Sequence, residues 1–283
     1  MSTPSQTSGV NSPLTPQEVS ASPRPARTES GRMAGFFRAL VLWISVASTT
    51  VFFSSFVLFC FPFVYPFDKE RHSLHAIAIV WSKTILFLNP WWKFEIVGHE
   101  NLPPNGRSVV YVANHNSQTD ILAMFMLGVR FRWLSKDAVF KVPLLGWAMH
   151  ACGYVSVTRG DKGSHSRCMD ESKRHLERGT SMVFFPEGTR SRDGVMQVFK
   201  SGAFRIAVET KAPVVPVTLS GTATLLPKGS AFPSVTEVKI VVHPPISSEG
   251  KSVDAVLREA SEAVASALPE SQRQPQRRMK VRT

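Results

Sequence analysis

The sequence predicts an α/β fold, a mixed sheet with flanking helices, preceded by an N-terminal membrane-embedded helical hairpin. Three observations point to it. Positions 39–67 carry no charged residue, a run of 29, where about 20 residues cross a bilayer as a helix. A second apolar stretch follows at 76–92. From Gly98 onward, short apolar runs alternate with stretches of helical periodicity, the texture of an α/β domain. At 283 residues, with 43% hydrophobic and 19% charged residues, the chain can bury a real core and is neither intrinsically disordered nor a polytopic membrane protein.

Residues 1–32 are rich in Ser, Thr, Pro and Gln and poor in large apolar side chains. Such a segment cannot offset its chain entropy and is expected to be a disordered tail, although its arginines and scarce acids fit a transit leader equally well. In the first apolar run Ser45, Ser48, Thr49, Thr50, Ser54 and Ser55 dilute the hydrophobicity, and Pro62 and Pro66 are expected to end the helix near Phe61. The second stretch carries Lys83 and ends in Trp91 and Trp92, an aromatic pair suited to the headgroup level. Together the two read as a hairpin dipping into one leaflet. A cleaved signal peptide is disfavoured, because the uncharged run is longer than an h-region. Arg24, Arg27, Arg32 and Arg38 precede the run, against Lys69 and Arg71 after it, which favours a cytoplasmic amino terminus with the active site on the same side.

In the remainder, strands are expected at 109–113, 155–157, 182–185, 214–219 and 238–242, and helices at 120–127, 166–177, 203–210 and 253–267. Pro216 denies one ladder bond to its strand and suggests an edge or a bend. The net charge of +12 asks for an anionic partner. Arg273, Arg277, Arg278, Lys280 and Arg282 form a basic tail against Glu270, but half of the excess lies in the middle of the chain. That surface suits nucleic acid, anionic lipid or a phosphorylated small molecule alike. Cys60, Cys152 and Cys168 stand at neither CxxC nor zinc spacing, so no disulfide framework or structural metal is implied. No G-x-S-x-G occurs, and Gly250, Lys251, Ser252 lack the P-loop's first glycine, replaced by Pro245, so serine hydrolases and P-loop enzymes are excluded.

Three clusters carry chemistry. Asn114, His115, Asn116, Ser117, Gln118, Thr119 and Asp120 lie between a strand and a helix. In one continuous helix His115 and Asp120 would diverge. If the strand ends at Ala113 and Ser117 or Thr119 caps the helix, the Asp120 carboxylate reaches back to the imidazole. A His held by a carboxylate is a general base for a hydroxyl nucleophile; the plain alternative is a polar turn with an exposed His. The second cluster, Phe184 to Ser191, again follows an apolar strand. Gly188 lets backbone amides approach an anion, Arg190 can fork onto a phosphate with Arg192 nearby, and Glu187 beside these cations can accept from a hydroxyl. The third cluster is looser: Lys136, Val142, Pro143, Gly146, Gly153 and Arg159, with Arg159 leaving a strand end, a favoured place for ligand contact.

These blocks, NHNSQTD, the stretch from Lys136 to Arg159, FPEGTRS and VPV, followed in the third case by FKSGA, occur in the order found in the glycerolipid acyltransferases. Over residues 95–245 the chain resembles that family, and most of all its 1-acyl-sn-glycerol-3-phosphate acyltransferases. The resemblance implies an enzyme that moves an acyl chain from an acyl thioester to the sn-2 hydroxyl of lysophosphatidate, making phosphatidate in phospholipid biosynthesis. It implies a catalytic dyad of His115 and Asp120, no metal and no cofactor, and acceptor binding by Glu187, Gly188, Thr189, Arg190, Arg159 and Lys136. The implied partners are lysophosphatidate, acyl-CoA or acyl carrier protein, and the lipid bilayer, with no nucleic acid. The alternatives are an acyltransferase for glycerol 3-phosphate or another lysophospholipid, and a noncatalytic membrane-attached lipid-binding module. The expected location is a membrane: endoplasmic reticulum or plastid in a eukaryote, inner membrane in a bacterium, with the active site facing the cytosol or stroma. The expected organisation is a disordered tail or leader at 1–35, a membrane-associated helical segment at 36–92, an acyltransferase domain at 93–268 and a basic tail at 269–283.

Overall fold

The computed structural model describes residues 29–104, 107–158, 160–191, 193–226 and 230–273. Among them, seven strands form one mixed sheet: β1 (Trp92–Val97), β2 (Val110–Ala113), β3 (Phe131–Lys136), β4 (Val155–Val157), β5 (Ser181–Phe184), β6 (Val214–Ser220) and β7 (Thr236–Val242). Their spatial order is β1-β7-β6-β2-β5-β3-β4. All neighbours are parallel except β6 and β7, so β2 to β6 share one direction while β1 and β7 run the other way. The carboxyl ends of β2, β5 and β6 therefore meet at one edge, where open α/β sheets place their ligands.

Strand periodicity divides the core into two layers. Tyr111, Ala113, Val183, Val215 and Val217 face a layer covered by α2 (His72–Leu88), α3 (Asp120–Met126), α4 (Asp137–Phe140), α5 (Leu145–Ala151) and α8 (Thr222–Leu225). Val110, Val112, Met182, Phe184 and Val214 face the other, under α6 (Lys162–Glu177), α7 (Gly202–Glu209) and α9 (Val253–Ser266). Covered on both faces, β2 and β5 read as unbroken apolar runs, which is why their sequences announce them.

The expected strands and helices all form, with ends shifted by a few residues, but β1 and β3 were not anticipated. Trp92 opens β1 instead of lying at a headgroup: it is 5% exposed, and its indole N–H donates to the Ser234 carbonyl at 3.2 Å. Pro216 marks no edge, since β6 pairs on both sides. Its carbonyl accepts from His243 N–H at 3.0 Å, immediately beyond the end of β7, so the missing donor falls where that ladder runs out.

The amino-terminal helix α1 (Glu29–Val64) passes through Pro62 instead of stopping near Phe61. A proline in the last turn forfeits one bond in a helix that stops two residues later. The helix α2 returns antiparallel to α1: Trp81 donates to Thr50 Oγ1 at 3.2 Å and Asn89 to Ser45 Oγ at 3.0 Å. Ser45, Thr49 and Ser54 are buried, while Phe36, Phe37, Phe52, Phe59 and Phe63 stay exposed. Half of the hydroxyl residues that dilute the apolar run thus lie on its inward face, while Ser48 and Ser55 are exposed. Among the described residues, 33–64 form the one helix long and apolar enough to cross a membrane by length and composition. The hairpin is seated by Arg132 of β3, which is fully buried and donates to the carbonyls of Phe131 and Glu70, the latter in the connector between α1 and α2.

Candidate active site

Beyond Ala113 the ladder between β2 and β6 is continued by a side chain. The Asn114 amide accepts from Leu219 N–H and donates to Leu219 O, both at 2.8 Å, and is fully buried. The chain then turns, and His115 Nδ1 meets Asp120 Oδ2 at 2.7 Å. The same oxygen accepts from the N–H groups of Asn116 and Ser117, at 2.7 and 2.9 Å. The sequence points to Ser117 or Thr119 as the cap of α3, but neither side chain caps it. The buried Asp120 carboxylate gathers the turn itself, because it sits in the first helical turn facing two amides that have no other acceptor. A carboxylate at Nδ1 puts the proton on that nitrogen and leaves the lone pair on Nε2. Nε2 has no hydrogen-bond partner among the described residues, and the side chain is 20% exposed.

The loop after β5 completes the setting. The Phe185 ring stacks on the imidazole at 4.4 Å and 23°. Glu187 Oε1 accepts from His115 N–H at 2.7 Å, and Ser191 N–H donates to His115 O at 2.8 Å, so this loop takes both backbone groups of the histidine. The second Glu187 oxygen accepts from Gln197 N–H at 3.1 Å. Burial pushes the Glu187 carboxyl up to about 8, against the lowering pull of those two amides. Gly188, at φ +71°, closes the turn with its N–H on Phe185 O at 2.9 Å.

Of the residues picked out by sequence, His115, Asp120 and Glu187 converge. Glu187, expected to accept from an acceptor hydroxyl, instead has both oxygens on backbone N–H groups and is 2% exposed. Thr189 is exposed, and Arg190 is half-buried with no ion pair among the described residues. Lys136 is exposed at the carboxyl end of β3, on the sheet edge that carries His115. Arg159 and Arg192 lie outside the described residues. Sequence reasoning gave no role to Asn114, Phe185 or Gln197; their signal lies in their adjacency to the two motifs. Between the hairpin and α3, β3 and α5 lies an apolar cavity of about 140 Å³, bordered by Val57, Ile77, Trp81, Ile121, Phe125 and Tyr154. Ile121 directly follows Asp120.

Residues 93–220 match the family model described as Acyltransferase. The chain is 37% identical over 251 residues to the chloroplastic 1-acyl-sn-glycerol-3-phosphate acyltransferase LPAT1 of Arabidopsis thaliana, covering 88% of this chain and 68% of that protein. It is 36% identical over 263 residues to a chloroplastic counterpart from Brassica napus, covering 92% and 74%. The crystal structure of the 1-acyl-sn-glycerophosphate acyltransferase of Thermotoga maritima superposes with a TM-score of 0.72 at 27% identity, over 82% of this chain and 94% of that one.

Proposed function

The chain belongs to the 1-acyl-sn-glycerol-3-phosphate acyltransferases, and from that premise we propose how its residues carry the reaction. The enzyme transfers an acyl chain from an acyl thioester to lysophosphatidate, forming phosphatidate. The free His115 Nε2, opposite an Nδ1 held at 2.7 Å by Asp120, is the observation that carries the mechanism. Nε2 takes the proton of the sn-2 hydroxyl as the oxygen attacks the thioester carbonyl. The tetrahedral centre collapses, the carbon–sulfur bond breaks, and the imidazolium returns the proton to the departing carrier thiolate. No acyl-enzyme is required. Asp120 fixes the tautomer and stabilises the imidazolium.

Arg190, with Gly188 and Thr189, holds the acceptor phosphate, assisted by Lys136 at the end of β3 and by Arg159. Fixing the phosphate brings the hydroxyl to Nε2, and orientation of this kind supplies several kcal/mol, about 7 to 11 in good intramolecular cases. Glu187 acts as a positioning residue that locks the His115 backbone. The apolar cavity beside Ile121 takes the acyl chain. The helices α1 and α2 form a monotopic hairpin in one leaflet, with the site facing the side of the amino terminus. The chloroplastic location of two relatives supports a plastid membrane and a stromal site.

The test is an acyl-transfer assay on the purified chain with acyl-CoA and acyl carrier protein donors, each offered with lysophosphatidate and with glycerol 3-phosphate. Phosphatidate is the expected product. Turnover of glycerol 3-phosphate in preference to lysophosphatidate overturns the acceptor assignment.

A further inference from the structure

We propose that Lys200 is a second phosphate-binding residue, closing with Arg190 around the phosphate monoester of the acceptor; this rests on the reading of the site given above. Beyond Met196 the chain lies against the Glu187 turn and is bonded to it twice. Gln197 N–H donates to Glu187 Oε2 at 3.1 Å, and Lys200 N–H donates to Pro186 O at 3.0 Å. Phe199 before it and Ala203 and Phe204 after it are buried, so the backbone at Lys200 is pinned while its side chain is exposed.

That side chain lies across Gly188. A Cβ at Gly188 would stand 2.6 Å from Lys200 Nζ and 3.3 Å from its Cε, so glycine supplies the room in which the ammonium meets the turn. Lys141, Lys173, Lys211, Lys239 and Lys251 each face a carboxylate. Among the described residues the Lys200 ammonium faces none, and neither does the Arg190 guanidinium two residues past Gly188. One cation following the turn and one laid across it, with no carboxylate facing either among the described residues, make a site for a dianion. The Glu187 that receives Gln197 also holds His115 N–H, so a phosphate here lies on the same rigid frame as the base. In lysophosphatidate the phosphate and the sn-2 hydroxyl are on adjacent carbons, a span suited to that frame. The carrier's phosphates offer the same chemistry, and the kinetics separate the two sources.

The experiment compares Lys200→Met and Lys200→Arg with the parent, varying lysophosphatidate at saturating donor and then the reverse, with inorganic phosphate as inhibitor. Lys200→Met is expected to raise the KM for lysophosphatidate about tenfold or more, with the donor KM within about twofold, as loss of one charge-assisted contact predicts. Inorganic phosphate should compete with lysophosphatidate in the parent and more weakly in Lys200→Met, and Lys200→Arg should recover most of the loss. A rise confined to the donor KM assigns Lys200 to the carrier and overturns the proposal. So does an unchanged KM for both substrates, or an equal loss in Lys200→Arg with an unfolding temperature below the parent's. If the parent does not acylate lysophosphatidate, the functional reading itself has failed, an outcome distinct from any of these.

Discussion

At His115 the ring is stacked on Phe185, Nδ1 is bonded to Asp120, and both backbone groups are taken by the loop after β5, so Nε2 is the ring atom left to react. His115→Ala should therefore lower kcat by about 10² to 10⁴ while the unfolding temperature stays near the parent's. Asp120→Asn should behave differently. Its oxygen holds two backbone N–H groups besides the imidazole, so the substitution should lower both turnover and unfolding temperature, a buried pair of mismatched groups costing about 1 to 3 kcal/mol. Paired thermal melts and turnover numbers check both variants. Glu187 adds a pH signature. Its folded carboxyl titrates at about 8 against an ordinary 4.5, because it is desolvated, so the folded protein keeps a proton that the unfolded chain releases. That contribution to stability is full below about 4.5 and is lost as pH rises toward 8. Across this window the unfolding temperature of Glu187→Gln should rise relative to the parent's, as melts at stepped pH will measure.

Among the elements, those packed in the middle of the sheet are legible from sequence and those at its margins are not. β2, β5 and β6 are apolar on both faces, so composition alone reveals them. In β1, Trp92 continues an apolar helix-like stretch, and Lys93 and Glu95 then alternate outward, so no contrast marks its start. In β3, Arg132 breaks the apolar pattern, because its guanidinium donates to a carbonyl of the α1–α2 connector, distant in sequence. The approach of His115 and Asp120 is legible because a strand-to-helix turn allows few ways of placing two such groups five apart. The clamp by Glu187 and Ser191 is not, because it grips the backbone N–H and C=O of His115 from 72 and 76 positions away, and backbone groups have no residue-type signature. The pairing of helix and sheet also fixes the cavity. Ala78 of α2 lines it, so Ala78→Phe should reduce kcat/KM for long acyl thioesters more than for short ones. A methylene in an apolar pocket is worth about 1 to 3 kcal/mol, so a chain-length series of donors should reveal a shift of at least about tenfold.

For the whole molecule, an apolar helical hairpin is seated on the sheet through the buried Arg132, so the proposed membrane contact and the proposed acyl cavity involve the same two helices. If the hairpin dips into one leaflet, cysteines introduced at Gly35 and Lys93 in a chain lacking Cys60, Cys152 and Cys168 should be labelled from the same side of sealed vesicles. Labelling from opposite sides replaces the hairpin with a crossing. The clamp on His115 also sets a clock for synthesis. The carboxylate that holds the histidine's N–H is translated 72 residues after it, a delay of roughly 4 to 14 s at ordinary elongation rates. The apolar amino-terminal helices are translated first, and throughout that interval the imidazole waits without its brace. The clamp is therefore among the later things the growing chain acquires, and a product cut short before residue 187 holds the dyad without it.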